Sequence, residues 1–290
     1  MSSRLALGTA QFGLTYGVAN RSGQVAYEDS QRILARARQA GLDTIDTAVG
    51  YGESEQRLGS IGVAAWRVIS KLPAIPESCP DVARWVDESV ESSLRRLRLR
   101  RLGGLLLHRP AQLMGERGVE LYTALDALKQ RGIVDKLGVS IYDPHELDAL
   151  WPRFALDIVQ APLNLLDRRL ASSGWLAKLH AMGVEVHVRS VFLQGLLLMS
   201  AAARPGYFNR WSSVWRKLDE WLRDGGASAP AACLAFAAAH PEVARIVVGV
   251  DNPAQLEDLL AAASGTAPAP PPDIASDDPD LINPSRWRVH

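Results

Sequence analysis

Gly41–Glu53 reads GLDTIDTAVGYGE. Before it, Glu28–Ala40 carries apolar residues at helical spacing, and a glycine directly after such a run is a helix stop. The residues after Gly41 form a short apolar run that predicts a buried strand over Thr44–Asp46. A second helical pattern, Glu53–Ile61, follows at once. Asp46 and Tyr51 therefore sit just past the C-terminal end of a strand that lies between two helices. That is the repeat unit of a parallel sheet.

The same unit recurs in both directions. Further strands are predicted at Leu5–Gly8, Arg67–Lys71, Leu105–His108, Val134–Ser140, Ile158–Gln160, Val184–Val188 and Ile246–Val248. Helices are predicted at Val82–Leu99, Val119–Arg131, Pro144–Leu150, Ala171–Met182, Ala229–Ala239 and Pro253–Ala263. Eight strands in alternation with helices predict the α/β class and a single-domain, closed (β/α)8 TIM barrel, a fold of typically ~250 residues. An open doubly wound sheet is the competing arrangement. Its first strand usually runs into G-x-G-x-x-G, whereas here it runs into LGTAQFGLTYG, which lacks that spacing. The barrel is expected over residues 1–264. Residues 192–226 form an aromatic-rich insertion after the seventh strand, readable as a lid or as packing. Residues 265–290 are a Pro- and Asp-rich tail.

The bulk composition narrows the function. The chain has 290 residues, 47% hydrophobic, enough for a substantial core. Its 32 basic and 32 acidic residues balance, which points away from nucleic acid and from anionic membranes. The run Arg95–Arg101 reads as a solvated helix end. Cys79 and Cys233 give neither a disulfide framework nor a metal spacing, and no metal site is expected. No apolar run is long enough to span a bilayer and no secretory h-region is evident, so a cytoplasmic setting is expected.

In such a barrel the strand ends converge on one mouth, where active sites are built. Those ends carry Asp46 and Tyr51 after the second strand, Lys71 after the third and His108 after the fourth. Ser140, Gln160 (with Asn164 beyond it) and Arg189–Ser190 follow the fifth, sixth and seventh. A tyrosine hydroxyl, with an ordinary pKa near 10, donates its proton poorly at neutral pH. A neighbouring ammonium favours the phenolate. A carboxylate keeps that ammonium charged, and a histidine can orient a carbonyl oxygen. The set suits protonation of a carbonyl oxygen as hydride reaches the carbon. Singly, each residue has a structural explanation: Asp46 as a cap, Tyr51 as packing, Lys71 as a solvated strand end, His108 as a satisfied loop histidine. Four such types at three successive strand ends outweigh those explanations.

The chain resembles the aldo-keto reductases. LGTAQFG is similar to the family's first strand and turn, and GLDTIDTAVGYGESEQRLG to its most diagnostic motif. VISKLP, LLLHRP, VDKLGVS, VQAPLNLLDR, FLQGLL and VVGVDNPAQLEDLLAA resemble later segments, so the likeness runs from about Leu5 to Ala263. The resemblance implies a small-molecule carbonyl substrate of a sugar-like kind, and NADPH bound without a Rossmann motif. It makes Tyr51 the proton donor, Lys71 the group that lowers its pKa, Asp46 the partner of Lys71, and His108 the residue that orients the carbonyl. Ser140 and Gln160 would hold the nicotinamide carboxamide. Gly8, Thr9, Gly249 and Gln255 would line the dinucleotide, with Arg189 and Ser190 beside it.

Three positions depart from the family pattern. Ile141, followed by Tyr142, stands where relatives carry Asn. Arg189 stands where an aromatic ring often stacks on the nicotinamide, and a planar guanidinium can also stack. Asp251 stands where relatives often carry Ser, Lys or Arg. An acid there would repel a 2′-phosphate or accept a hydrogen bond from a ribose 2′-hydroxyl, so that NADH is accepted. Alternatively, Asp251 points to solvent and a basic residue elsewhere holds the phosphate. Two other functions fit the same barrel: a cofactor-binding partner protein with little turnover, like the potassium-channel β-subunits of this family, and a hydrolase or aldolase that needs no nicotinamide.

Overall fold

A computed structural model describes residues 4–289 of the chain. Its eight strands are β1 (Leu5–Gly8), β2 (Thr44–Asp46), β3 (Arg67–Leu72), β4 (Gly104–Leu107), β5 (Leu137–Ser140), β6 (Ile158–Pro162), β7 (Glu185–Arg189) and β8 (Val243–Val248). Each pairs in parallel with its sequence neighbours, and β8 pairs back to β1 to close the barrel. This is the (β/α)8 TIM barrel the alternation predicts.

Side chains alternate along a strand, so every second residue faces the barrel interior. Ile69, Leu106 and Ile158 form an apolar cluster of their own, separate from the main core between sheet and helices. They plug the interior on the side of β3 to β6. Gly104 and Gly138 make room for them. A Cβ on Gly104 would lie 2.8 Å from Ile158 Cδ1, and one on Gly138 would lie 2.1 Å from the Ile158 carbonyl oxygen. Two residues on from this apolar layer, the same inward faces carry Lys71, His108, Ser140 and Gln160. The plug therefore forms the floor on which a polar layer stands.

Several boundaries differ from the sequence expectation. The Ala171–Met182 helix is two pieces, Arg169–Ser172 and Trp175–Ala181, because Gly174 between them has φ of 81°. Val134 makes only an isolated bridge to Leu102, and the β5 ladder begins at Leu137. β8 starts at Val243, and Arg245 within it donates to Thr44 Oγ1 on β2, past the intervening β1.

Within the arginine run, Arg95 and Arg101 make exposed ion pairs with Glu91 and Asp135. Arg96 instead turns inward. Its Nε and a terminal nitrogen donate to Oε2 of the buried Glu55 at 2.8 and 2.6 Å, while Ser70 and Ser93 hydroxyls donate to Oε1.

After β7 the chain makes several 3₁₀ turns and the helix Ser212–Gly225. Phe208 is fully buried beneath the indoles of Trp211, Trp215 and Trp287. Residues 272–287 pack against this unit through buried Ile274, Leu281 and Ile282. The Trp211 indole N–H donates to Asp278, and the Tyr207 hydroxyl to the Asp280 carbonyl. No helix among the described residues is long and apolar enough to cross a membrane.

Candidate active site

The position of Tyr51 follows from two glycines. A Cβ on Gly13 would lie 1.8 Å from the Tyr51 carbonyl oxygen, and one on Gly52 would lie 2.4 Å from the Gly13 carbonyl oxygen. The two backbones touch, and a side chain at either glycine would push the loops apart. Gly52 also has φ of 52°, a region glycine enters at little cost. The turn is tied down further. The Val49 N–H donates to the Lys71 carbonyl and the Tyr51 N–H to the Ala48 carbonyl. The Ser54 hydroxyl donates to the Thr9 carbonyl, and the Thr9 hydroxyl to the Asp46 carbonyl. The buried Thr9 thus works through the backbone of β2.

Above the apolar plug the inward side chains form one connected array. Lys71 Nζ is fully buried and lies 2.5 Å from Asp46 Oδ1, with the Thr47 carbonyl at 2.9 Å and the Tyr51 hydroxyl at 3.5 Å. Gln160 Nε2 donates to Asp46 Oδ2 at 2.6 Å, and the Ser140 hydroxyl donates to Gln160 Oε1 at 3.1 Å. Arg189 continues the chain toward Ser140 and donates to Ser190 Oγ and the Ile141 carbonyl. Its guanidinium lies over the Tyr142 ring, 4.3 Å from the centroid. The His108 ring meets Tyr51 edge-on with centroids 5.6 Å apart. Both charges of the Lys71–Asp46 pair are thus bonded on several sides, which is what burial of an ion pair requires.

Burial governs the protonation states. It pushes the Tyr51 hydroxyl above its ordinary value, with Asp46 acting in the same direction and Arg189 in the opposite one. The phenol therefore carries its proton at neutral pH. Burial also lowers Lys71, against the pull of Asp46. It lowers His108 from 6.5 to about 4, with Lys71 the next cause.

A neutral buried histidine binds fewer protons in the folded state than in the unfolded chain between those two values. The stability it supports is full above pH 6.5 and is lost as pH falls toward about 4. His187, buried inside the barrel, is shifted in the same direction by burial. The melting temperature should therefore fall between pH 7 and pH 5, and the fall should be shallower in His108→Asn. Calorimetry across that range checks this, and parallel curves for the two proteins would contradict it.

A cleft of about 340 Å³ opens over this array. Of the residues singled out in the sequence, Gly8, Thr9, Asp46, Tyr51, Arg189, Ser190, Gly249, Asp251 and Gln255 line it. Lys71 and Gln160 are fully buried beneath it, and Ser140 nearly so. His108 is half-buried against Tyr51. Ile141, at the position where relatives carry Asn, is wholly in the core.

The sequence reading missed Gln11, Tyr16, Asn20, Phe192, Gln194 and Asp258, which also line the cleft. The loop after β1 arches over to the loop after β7. The Ala19 N–H donates to the Gln194 carbonyl, and Gln194 Nε2 to the Tyr16 hydroxyl. Ser190, Leu193 and Gln194 all have left-handed backbone, with φ between 48° and 57°. Such strain is held only where surroundings over-determine it, and Asn164 does so in part by donating to the Ser190 carbonyl. No pattern in the sequence marks these contacts. The nearest signal is Gly249, whose absent Cβ would lie 2.5 Å from the Gln11 amide.

This chain belongs to the aldo/keto reductase family, whose sequence profile matches residues 4–269. It is 26% identical to D-threo-aldose 1-dehydrogenase of a Pseudomonas species, over 91% of this chain and 93% of that one. It is 29% identical to 6-dehydroglucose reductase of Agrobacterium fabrum, over 61% of this chain and 56% of that one. Among solved structures, a Pseudomonas aeruginosa protein described as an aldo-keto reductase superposes with a TM-score of 0.66 at 27% identity, covering 90% and 89% of the two chains. The aldo-keto reductase AKR11C1 of Bacillus halodurans superposes with a TM-score of 0.71 over 92% and 88% of the chains. At 20% identity that likeness is one of fold.

Proposed function

We propose that the protein interconverts a carbonyl and an alcohol with a nicotinamide dinucleotide, Tyr51 moving the proton. The observation that carries this reading is the Tyr51 hydroxyl at the base of the cleft, 3.5 Å from the ammonium of a wholly buried Lys71–Asp46 pair. The cleft also fits the cofactor. Its lining joins Asp46, Tyr51 and Arg189 to the amides of Gln11, Asn20 and Gln255. Gly8 and Gly249 are also part of the lining, with the Gln11 amide packed on Gly249. When bound, the dinucleotide supplies or accepts the hydride.

The roles of the chain's own residues follow from where they stand. Tyr51 gives its proton to the carbonyl oxygen in reduction and takes it back in oxidation. As its oxygen gains negative charge, Lys71 and Arg189 stabilise it without reorganising, because both are already held. Asp46 keeps Lys71 in place, and Gln160 fixes the second oxygen of Asp46. His108, neutral at pH 7, donates an N–H to the substrate oxygen. Arg189 would present donors to the cofactor, and its guanidinium would provide the flat surface an aromatic ring would otherwise offer. The names of the two sequence relatives support a sugar or sugar-like aldehyde or ketone as substrate.

The test is a panel of aldoses, ketoses and simple aldehydes with NADH and NADPH, following the absorbance of the reduced nicotinamide. Carbonyl-dependent consumption is expected. Tight cofactor binding with no consumption on any carbonyl, and no reverse reaction with the matching alcohols, would point instead to a partner protein that uses the cofactor as a ligand.

A further inference from the structure

One wall of the cleft is built by the turn after β8 and the helix Pro253–Ala262. Asp251 is half-buried in this wall. Asn20, reaching over from the loop after β1, donates its amide to Asp251 Oδ1 at 3.2 Å. The Asp251 N–H donates to Gln255 Oε1 at 2.7 Å. The carboxylate is therefore held at the cleft wall and does not swing freely in solvent. Asp258 lies three residues beyond Gln255, on the same helical face, and adds a second carboxylate to the lining.

No Lys, Arg or His among the described lining residues stands beside those two charges. Arg189 is the one Lys, Arg or His among the described residues that line the cleft, and it is bonded to Ser190 and the Ile141 carbonyl. Arg36, on the helix packed against Pro253–Ala262, is engaged by both oxygens of Glu257. The helix N-terminus would itself attract an anion. Here, however, the Asn252 side chain already takes the Gln255 N–H, and Pro253 has no N–H to offer.

Hydride and proton must reach the two atoms of one C=O bond, so the nicotinamide lies beside Tyr51. The adenosine ribose would then meet the wall that carries Asp251 and Asp258. A 2′-phosphate there would bring a charge of about −1.5 to −2 at pH 7 against two carboxylates. A 2′-hydroxyl would instead donate a hydrogen bond to Asp251, the pairing that acidic residues make with this ribose in other dinucleotide folds. We infer that the cleft selects NAD(H) over NADP(H), with Asp251 and Asp258 as the selecting residues. This rests on the reading of the cleft as a nicotinamide site.

The experiment is a titration of the full chain with NADH and with NADPH, following quenching of tryptophan fluorescence, so that turnover plays no part. It is run on the wild type, on Asp251→Asn and on Asp251→Ser/Asp258→Asn. The wild type should bind NADH at least about tenfold more tightly than NADPH. The double variant should lose most of that difference through tighter NADPH binding, and the conservative Asp251→Asn should lose part of it. Raising the salt should narrow the wild-type difference, since exposed Asp258 is screened.

Equal or tighter NADPH binding by the wild type would overturn the inference and leave the cofactor reading intact. Exposed Arg21, beside Asn20 in the chain, would then be the cation to examine. An unchanged preference in the double variant would overturn the assignment to these two carboxylates. Binding of neither dinucleotide would overturn the inference together with the reading it rests on.

Discussion

Tyr51→Phe is expected to lose about 10²–10⁴-fold in carbonyl reduction, the usual worth of a positioned proton donor, while its affinity for the dinucleotide stays within about twofold. The substitution removes one oxygen and little else. The ring keeps its edge-on contact with His108. The turn keeps its shape because backbone contact between Gly13 and Gly52, and not the phenol, sets it. The lost oxygen is 3.5 Å from Lys71 Nζ, whose shorter bonds go to Asp46 and to the Thr47 carbonyl. The ammonium is therefore not orphaned. Single-turnover measurements with saturating cofactor separate the chemical step from binding. Equal rates for wild type and variant would remove Tyr51 from the mechanism, and a parallel loss of cofactor affinity would mean that the variant had damaged the cleft.

The barrel was legible because each strand is a short apolar run and each following helix keeps its period. Strand alternation then determines which polar residues share the interior. Asp46, Lys71, His108, Ser140, Gln160 and Arg189 all fall on inward positions near strand ends, so one rule gathers most of the array. The sequence could not convey how they are wired. Gln160 and Ser140, expected as carboxamide ligands, are bonded in line with Asp46, a wiring the strand pattern does not convey. The net effect on Tyr51 also depended on burial. A neighbouring ammonium predicts a lowered hydroxyl pKa, but desolvation outweighs it and the hydroxyl is raised. The rim residues Tyr16, Asn20 and Gln194 were missed for another reason. Their loops have no period, and they meet through backbone–backbone and amide contacts that any polar residue could in principle supply. The last stretch, rich in Pro and Asp, concealed a different signal: Ile274 and the pair Leu281–Ile282 are enough to bury it against the Phe208 cluster.

Lys71→Met tests whether the buried ion pair serves chemistry or merely stability, because the two roles respond differently to a second substitution. Methionine fills much of the lysine stem's volume and leaves Asp46 buried with only Gln160 donating to its carboxylate. Breaking a buried pair from one side costs about 3–5 kcal/mol, so the single variant should be strongly destabilised as well as inactive. Asp46→Asn added to it removes the uncompensated charge and keeps an acceptor oxygen in the same place. The double variant should therefore recover most of the lost stability, as buried pairs replaced on both sides commonly do. It should recover no turnover, because the Tyr51 oxygen would still lack the cation that stabilises it as it gives up its proton. Chemical denaturation gives the stability of the wild type, the two single variants and the double variant. Turnover on the best carbonyl found for the wild type gives the other axis. The thermodynamic cycle should show coupling of several kcal/mol between positions 46 and 71 in stability, whereas turnover should be near zero in every variant that lacks Lys71. If turnover returned along with stability in the double variant, the pair would be a structural strut, and activation of Tyr51 would have to be assigned to Arg189 alone.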